Sequence, residues 1–264
     1  MLRNTAHQPL VLQLIYLRDL LKELVVREMK LRYKRSLLGI VWTLLNPLAQ
    51  LLVFNFVFRY VLPLQIPNYA AFLFTGLLAW NWFQASMLTG TGGIVDNREL
   101  VKRPGFPPVI LPIVSVTTNL IHFLLALPVL LLFLLLNGFR LNGAILFLPA
   151  LLAVQFLLTV GLVYLFAAVH VTLRDTQYLL GIALMLGFYL TPVLYDLGSV
   201  PERFHWAYWL NPLAAIISSY RSILLNGELP GNLSMLYLVV ISLLALWAGY
   251  RLFVKVSDRF IEEL

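Results

Sequence analysis

The chain has 264 residues, of which 61% are hydrophobic and 12% are charged, and its mean hydropathy is +0.86. Soluble domains are about 45–50% apolar and about 25% charged, so this composition excludes a soluble globular protein and indicates an integral membrane protein. The net charge of +7 argues for a cytoplasmic rim of Lys and Arg rather than for nucleic-acid binding. Cysteine is absent, which excludes disulfides, thiolate metal sites and a cysteine nucleophile.

Long apolar runs alternate with short polar segments along the chain. Runs of about 20 apolar residues suit helices that cross a hydrocarbon core of roughly 30 Å, and the alternating segments of a barrel are missing. The sequence predicts an all-α integral membrane protein, a single transmembrane domain over residues 1–264, with six transmembrane helices. These spans are predicted at 36–62, 69–95, 107–137, 143–170, 177–196 and 233–255.

Residues 1–35 precede the first span, and their leucines recur at spacings of three and four between charged residues. This pattern predicts an N-terminal amphipathic interfacial helix that is too polar to cross the bilayer. A helix packed on a cytoplasmic partner is the alternative.

Polar and aromatic residues mark the first three spans. Trp42, Asn46 and Gln50 share one helical face, which serves either hydrogen bonding between helices or a substrate path. Aromatic side chains near the middle of the second span, Trp80 among them, favour either core packing or a lining surface. His122 lies in the third span without an acidic residue beside it, so we expect it to pack rather than to relay protons.

A charged segment at 96–104 stands between two long stretches that carry no charge. Charges left in hydrocarbon cost several kcal/mol each, so this segment must lie in water or against another protein. We expect a docking element, with a solvated connector as the alternative. A smaller polar loop carries Arg174 and Asp175.

The distribution of basic residues predicts the orientation. With both termini and both charged loops in the cytoplasm, 15 of the 19 Lys and Arg lie on that side. The external side then holds residues 199–226, whose two apolar pieces are too short to cross and are predicted to be short re-entrant external helices before the last span.

Residues for catalysis are missing. The sequence has no phosphate-binding loop, no His and Cys cluster for a metal and no pair of acidic residues on an apolar face. We therefore predict that the chain is not an enzyme, holds no cofactor, and is driven from outside.

Several short motifs, in order along nearly the whole chain, carry a resemblance to a known family. They are Glu28-Met29-Lys30-Leu31-Arg32-Tyr33-Lys34-Arg35-Ser36-Leu37-Leu38-Gly39-Ile40-Val41-Trp42, Asn46-Pro47-Leu48, Glu99-Leu100-Val101-Lys102, Phe106-Pro107, Leu111-Pro112, Arg174-Asp175, Thr191-Pro192-Val193 with Tyr195, Asn211-Pro212-Leu213 and Tyr220-Arg221. As a set they resemble the permease subunits of type-2 ABC exporters of cell-surface polysaccharides, the O-antigen and teichoic-acid exporters.

The resemblance implies a function and partners. Two copies of the permease would form a path for a lipid-linked glycan from the cytoplasmic to the external side of the bacterial inner membrane. Two separate ATP-binding cassette subunits would hold ATP and Mg. An exporter of small hydrophobic compounds shares this architecture, and a multipass scaffold without transport is a further alternative.

The resemblance also implies roles for individual residues. A coupling helix for the ATPase would involve Asp96, Arg98, Glu99, Leu100, Lys102, Arg103, Arg174 and Asp175. The substrate path would involve Trp42, Asn46, Gln50, Phe54, Phe58, Trp80, Trp82, Tyr189 and Tyr195. The lipid headgroup and its pyrophosphate would be recruited by Lys30, Arg32, Lys34 and Arg35, although these residues also serve to retain topology. Residues 199–226 would form external gate helices.

Overall fold

The computed structural model describes residues 10–36 and 38–263. Every regular element in these two ranges is helical, which confirms the predicted all-α class. The first nine residues of the predicted interfacial helix, Leu37 near the start of the predicted first span, and Leu264 lie outside the described residues.

The N-terminal half begins with two helices joined by a sharp turn. Helix α1 spans Leu10–Tyr33, and the chain then turns at Arg35, whose φ of 65° is in the left-handed region. A 3₁₀ turn at Gly39–Val41 leads into α2, Trp42–Phe56, which continues into a π-helical turn at Val57–Val61.

The other helices follow in chain order. They are α3 Tyr69–Asp96, α4 Arg98–Val101, α5 Ile110–Leu136, α6 Leu148–Thr172, α7 Thr176–Leu190, α8 His205–Leu210, α9 Pro212–Arg221, α10 Asn232–Ser257 and α11 Phe260–Glu263. A 3₁₀ segment at Gly143–Phe147 precedes α6.

Helix α3 is the centre of the molecule. It packs against α2, α5, α6, α7 and α9, and side chains on every side of it are buried, including Leu73, Leu77 and Ile94. A helix buried all round forms the core that positions its neighbours. The polar and aromatic side chains of α3 therefore face other helices rather than lipid.

The most extensive helix pair is α6 with α10. Gly161 of α6 and Gly249 of α10 face each other at the crossing, where any added Cβ would meet backbone atoms of the opposite helix. Small residues allow membrane helices to approach this closely, so the two glycines set the crossing.

Helix α7 is shorter than the predicted span at 177–196, and this boundary is corrected. The helix ends at Leu190, because Thr191 precedes Pro192 and takes an extended conformation with ψ of 140°. Farther along, Asn211 caps α9 by accepting hydrogen bonds from the Leu213 and Ala214 amides, and Pro212 occupies the first turn.

Within residues 10–36 and 38–263, four helical segments are long and apolar enough to cross a membrane, so the chain is a multipass membrane protein. They are Gly39–Val61, Ile110–Leu136, Gly143–Thr172 and Asn232–Ser257. Of the other two predicted spans, α3 is long but rich in polar and small residues, and α7 is apolar but has only 15 residues.

Candidate functional site

A cavity of about 480 Å³ lies where α1 and α2 meet α3 and α5. Its lining includes Trp42, Asn46, Gln50 and Trp82 from the predicted path, together with Arg32. Aromatic faces, amides and a guanidinium together suit a ligand that carries hydroxyl groups and negative charge. The structure therefore brings four of the nine predicted path residues to one place.

Amide side chains connect the helices around this cavity. Asn81 of α3 donates a hydrogen bond from Nδ2 to Gln50 Oε1 of α2 at 2.9 Å. Asn119 of α5 donates from Nδ2 to Thr89 Oγ1 of α3 at 3.0 Å. Asn81 and Asn119 line the cavity but were absent from the predicted site. Their spacing carried no family motif, and only the fold brings them both to the cavity.

Arg32 reaches into the cavity and binds α5. Its Nη1 lies 3.1 Å from Asn119 Oδ1 and 2.8 Å from His122 Nδ1, while the Tyr33 hydroxyl lies 3.0 Å from His122 Nε2. Because an arginine can only donate, Nδ1 is the acceptor and Nε2 carries the ring proton. His122 is therefore held as a neutral ring in a polar network, where we expected simple packing.

A carboxylate next to this network, Glu28, belongs to a family motif but was given no role from the sequence. Thr118 of α5 donates to Glu28 Oε2 of α1 at 3.4 Å. Burial raises the pKa of Glu28 above its usual value, and the nearby Arg32 and the Thr118 hydrogen bond oppose this shift without cancelling it. Glu28 and Arg32 are four residues apart, a spacing that could have indicated a shared face.

The four basic residues predicted to recruit pyrophosphate do not form one cluster. Arg32 points into the cavity, whereas Lys30 and Lys34 line a separate surface groove along α1. Arg35 is exposed at the left-handed turn. All four are exposed, and the structure separates the one that lines the cavity from the three that do not.

A row of neighbouring aromatic rings, tilted relative to one another, joins α2 and its π-helical turn to α7 and α3, and we call it the aromatic row. Phe58 and Phe54 have ring centroids 6.4 Å apart, Phe54 and Phe188 are 5.9 Å apart, and Phe188 and Trp80 are 5.7 Å apart. Tyr189 adjoins Phe188 at 5.4 Å. Phe188 links the predicted residues and was missed by the sequence reasoning, although it directly precedes Tyr189.

The two tryptophans of α3 face different neighbours. Trp80 is 2% exposed and lies against α7, where Gly187 leaves room for its indole. Trp82 is 3% exposed and turns toward α5, with its ring centroid 5.3 Å from that of Phe123. The predicted path residues therefore divide between the cavity and the aromatic row.

Tyr195 stands apart from both groups, beyond the end of α7. Its hydroxyl donates to the Tyr189 carbonyl at 3.1 Å and lies 2.8 Å from the Tyr208 hydroxyl. These bonds tie the end of α7 to α8, and through α8 to the segment at 199–226.

The charged segment at 96–104 begins at Asp96, the last residue of α3. Val101 is 3% exposed and anchors the short helix α4, while the charged side chains of the segment are exposed and Leu100 is half-buried. Arg98 and Glu99 lie 3.7 Å apart on this surface, where an ion pair contributes little to stability. The charges are therefore available to a partner.

The second polar loop lies beside the charged segment. Arg174 and Asp175 are exposed in the turn before α7. Gln177 and Asp96 both approach Gly92, where a Cβ would lie 3.3 Å from Gln177 Nε2 and 3.0 Å from Asp96 Oδ2. The fold thus brings the two loops to the same end of the helical bundle.

Comparison with known proteins decides the family. The sequence pattern of the ABC-2 type transporters matches residues 19–225. The chain belongs to this family. The resemblance inferred from the sequence motifs is thereby confirmed, and the family implies a partnership with ATP-binding subunits.

Relatives match this ABC-2 transporter over nearly its full length. The O-antigen export system permease protein RfbA of Myxococcus xanthus is 36% identical over 257 residues, covering 97% of this chain and 99% of that protein. An RfbA of Klebsiella pneumoniae is 36% identical and covers 94% and 96%. The polysialic acid transport protein KpsM of Escherichia coli is 25% identical and covers 87% and 90%.

Proposed function

We propose that this chain is the membrane-spanning subunit of an ATP-driven exporter that moves a lipid-linked polysaccharide, an O-antigen or a teichoic-acid-like glycan, out of the cytoplasm. The observation that carries the proposal is the cavity lined by Trp42, Gln50, Trp82 and Arg32, in a chain whose relatives are named as O-antigen export permeases. An exporter of small hydrophobic compounds gains nothing from a guanidinium and several amides in its path.

The proposed topology has six spans and both termini in the cytoplasm of a bacterial cell, with the protein in the inner membrane. The excess of Lys and Arg on that side supports it. Helices α8 and α9 have six and ten residues, too few to cross, which supports a re-entrant external segment at 199–226.

The proposed working unit contains a second copy of this chain and two ATP-binding cassette subunits that hold ATP and Mg. This chain itself is proposed to be non-catalytic. The exposed charges at 96–104 and the adjoining Arg174 and Asp175 are proposed to dock the ATPase, because both loops lie at one end of the bundle and present side chains to solvent.

In the proposed path, the cavity takes up the headgroup and the aromatic row guides the sugars. Rings attract the apolar faces of sugars without fixing a register, which suits a sliding polymer. Arg32 is proposed to meet the pyrophosphate within the cavity, and Lys30, Lys34 and Arg35 are proposed to attract it at the membrane surface.

A matched pair of tryptophan substitutions tests the path. Trp42 and Trp247 are similarly exposed, at 54% and 61%, but only Trp42 lines the cavity. We expect Trp42→Ala to lower the rate at which polysaccharide reaches the cell surface by about tenfold, the loss of one ring contact of roughly 1.4 kcal/mol.

This test needs a control variant and a measurement of how much of each variant is present in the membrane. Trp247→Ala is expected to leave export unchanged, and both variants should be present in the membrane at the wild-type level. Equal export by the two variants would contradict the proposed path.

A further inference from the structure

A buried arginine outside the cavity forms no ion pair with any residue that the structure describes. The Arg221 side chain, at the end of α9, belongs to a residue that is only 9% exposed, and among the described residues no carboxylate lies within 4 Å of its guanidinium. Removing an ion from water costs several kcal/mol even after relaxation. The fold therefore has to supply Arg221 with strong polar contacts.

Three backbone carbonyls from two other parts of the chain supply those contacts. Nε donates to the Phe72 carbonyl of α3 at 3.3 Å, Nη1 to the Pro192 carbonyl at 2.6 Å and Nη2 to the Val193 carbonyl at 2.8 Å. The guanidinium also lies 3.3 Å from the ring centroid of Phe72. One side chain thus joins α9, α3 and the turn after α7.

The residues around the guanidinium leave room for an arginine side chain. A Cβ on Gly76 of α3 would lie 2.8 Å from Arg221 Nη2, so only glycine leaves the guanidinium its place. Two of the carbonyls that it binds, those of Pro192 and Val193, directly follow α7, where the chain has left the helix and cannot pair them within it. A planar fork of donors matches such a set of carbonyls better than an ammonium group does.

Two further bonds hold the same turn, which we call the 191–194 turn. Asn211 donates from Nδ2 to Thr191 Oγ1 at 3.0 Å, and the Tyr69 hydroxyl donates to the Leu194 carbonyl at 2.9 Å. Arg221 and Asn211 lie at opposite ends of α9, so the turn is tied to both ends of one helix.

The 191–194 turn separates two aromatic residues of the proposed path, Tyr189 and Tyr195. We propose that Arg221 is a positioning residue, which fixes this turn to α3 and α9 and thereby sets where the Tyr189 and Tyr195 rings stand. This role rests on the proposed function, because only that proposal makes the Tyr189 and Tyr195 rings part of a substrate path. The attachment of the turn to Arg221 is a separate claim about structure, and it can be tested without any transported substrate.

The absence of cysteine from the natural sequence makes a thiol probe specific. Val193 is 0% exposed, so in the Val193→Cys variant a polar maleimide should react slowly with the purified complex. Adding Arg221→Met removes two hydrogen bonds to the turn, at Pro192 and Val193, and the hydrogen bond to Phe72 of α3. We expect the labelling rate to rise on the order of tenfold or more, because each bond to a charged group contributes more than about 1.4 kcal/mol.

Two further variants serve as control and as safeguard. Arg203→Met removes an exposed arginine from the same outer segment and should leave labelling of the Val193→Cys background unchanged. Arg221→Lys keeps the charge but offers a single ammonium, so labelling should lie between the two extremes. If Arg221→Met fails to accumulate in the membrane, Arg221→Lys provides the same measurement.

Export is measured with the same Arg221 variants in an otherwise natural chain. Arg221→Lys is expected to lower export while its amount in the membrane and its ATPase binding stay at the wild-type level. Unchanged labelling in every Arg221 variant would overturn the attachment of the turn. Faster labelling with fully preserved export would overturn the positioning role.

Discussion

Arg32 belongs to the interfacial helix by sequence, yet its guanidinium contacts Asn119 and His122 of α5. This contact makes α1 part of the cavity wall, because a residue in its last turn also holds two polar groups of a spanning helix. The polar character of the cavity thus depends on a few side chains from four helices, α1, α2, α3 and α5. Each of them can be changed singly.

Glu28 provides the pH-dependent prediction at this scale. Its pKa is raised by burial, so the ionised carboxylate costs stability that the protonated form does not. The cost is absent below the unfolded pKa of about 4.3 and is complete above the raised pKa of the folded state. Glu28→Gln should therefore raise the melting temperature at neutral pH, by on the order of 2 °C.

The effect of Glu28→Gln should shrink as the pH falls toward 4, because the natural side chain is then neutral as well. Glu23→Gln, at an exposed position of the same helix, should show neither change. Melting curves of the purified complex between pH 4 and pH 8 provide the measurement. A lower melting temperature for Glu28→Gln at neutral pH would contradict the assignment.

At the scale of helices, the crossing of α6 and α10 provides a test of packing. A Cβ on Gly161 would lie 2.6 Å from Leu246 Cα, which is backbone and cannot move aside without shifting α10. We expect Gly161→Ala to destabilise the protein by about 1–3 kcal/mol. The melting temperature of the purified protein and its amount in the membrane provide the measurement, and both are expected to fall.

Gly181 in α7 is the matched control for this substitution. Apart from its chain neighbours and the nearby backbone of its own helix, no atom of the described residues lies within 4 Å of the position that its Cβ would take. Gly181→Ala should therefore be neutral, or stabilising by about 1 kcal/mol through its helix propensity. Equal stability of the two variants would show that the glycines do not set the crossing.

The short helix α4 provides the second prediction at this scale. Reversing both charges, Glu99→Lys with Lys102→Glu, should dissociate the ATPase or allow ATP hydrolysis without export, because the exposed pattern of charge facing the partner is inverted. Copurification of the ATPase and export are measured together.

A double reversal at the opposite end of the molecule controls for inserted charge. Arg203→Glu with Glu228→Lys changes two exposed side chains between α7 and α10, in the part of the chain that is proposed to face outside, and should leave ATPase binding intact. Normal binding and export by the doubly reversed α4 variant would make the segment a simple connector.

The boundaries of these helices show where sequence reasoning succeeds and where it ends. Apolar runs located α5, α6 and α10 well, because an apolar stretch of about 20 residues is long enough to cross the bilayer as a helix. The end of α7 was misplaced since the extended conformation before Pro192 outweighs the apolar residues around it.

At the scale of the whole molecule, the fold assembles residues that no spacing in the sequence connects. Asn81 and Asn119 reach the cavity because α3 is buried on all sides and α5 packs beside it. Arg221 is one of the four basic residues that the predicted orientation leaves on the external side, and three carbonyls distant in the sequence sequester it. Such partners arise only from tertiary packing, whereas Trp42, Asn46 and Gln50 could be grouped from helical periodicity alone.

ATP turnover by the reconstituted complex tests the proposed export of polysaccharide most directly. This chain and its ATPase subunit are placed in lipid vesicles, and ATP hydrolysis is followed with a lipid-linked glycan or with small lipophilic compounds. We predict that the glycan changes the rate of hydrolysis and that the small compounds do not. No response to any lipid-linked glycan, together with clear stimulation by the small lipophilic compounds, would contradict the account.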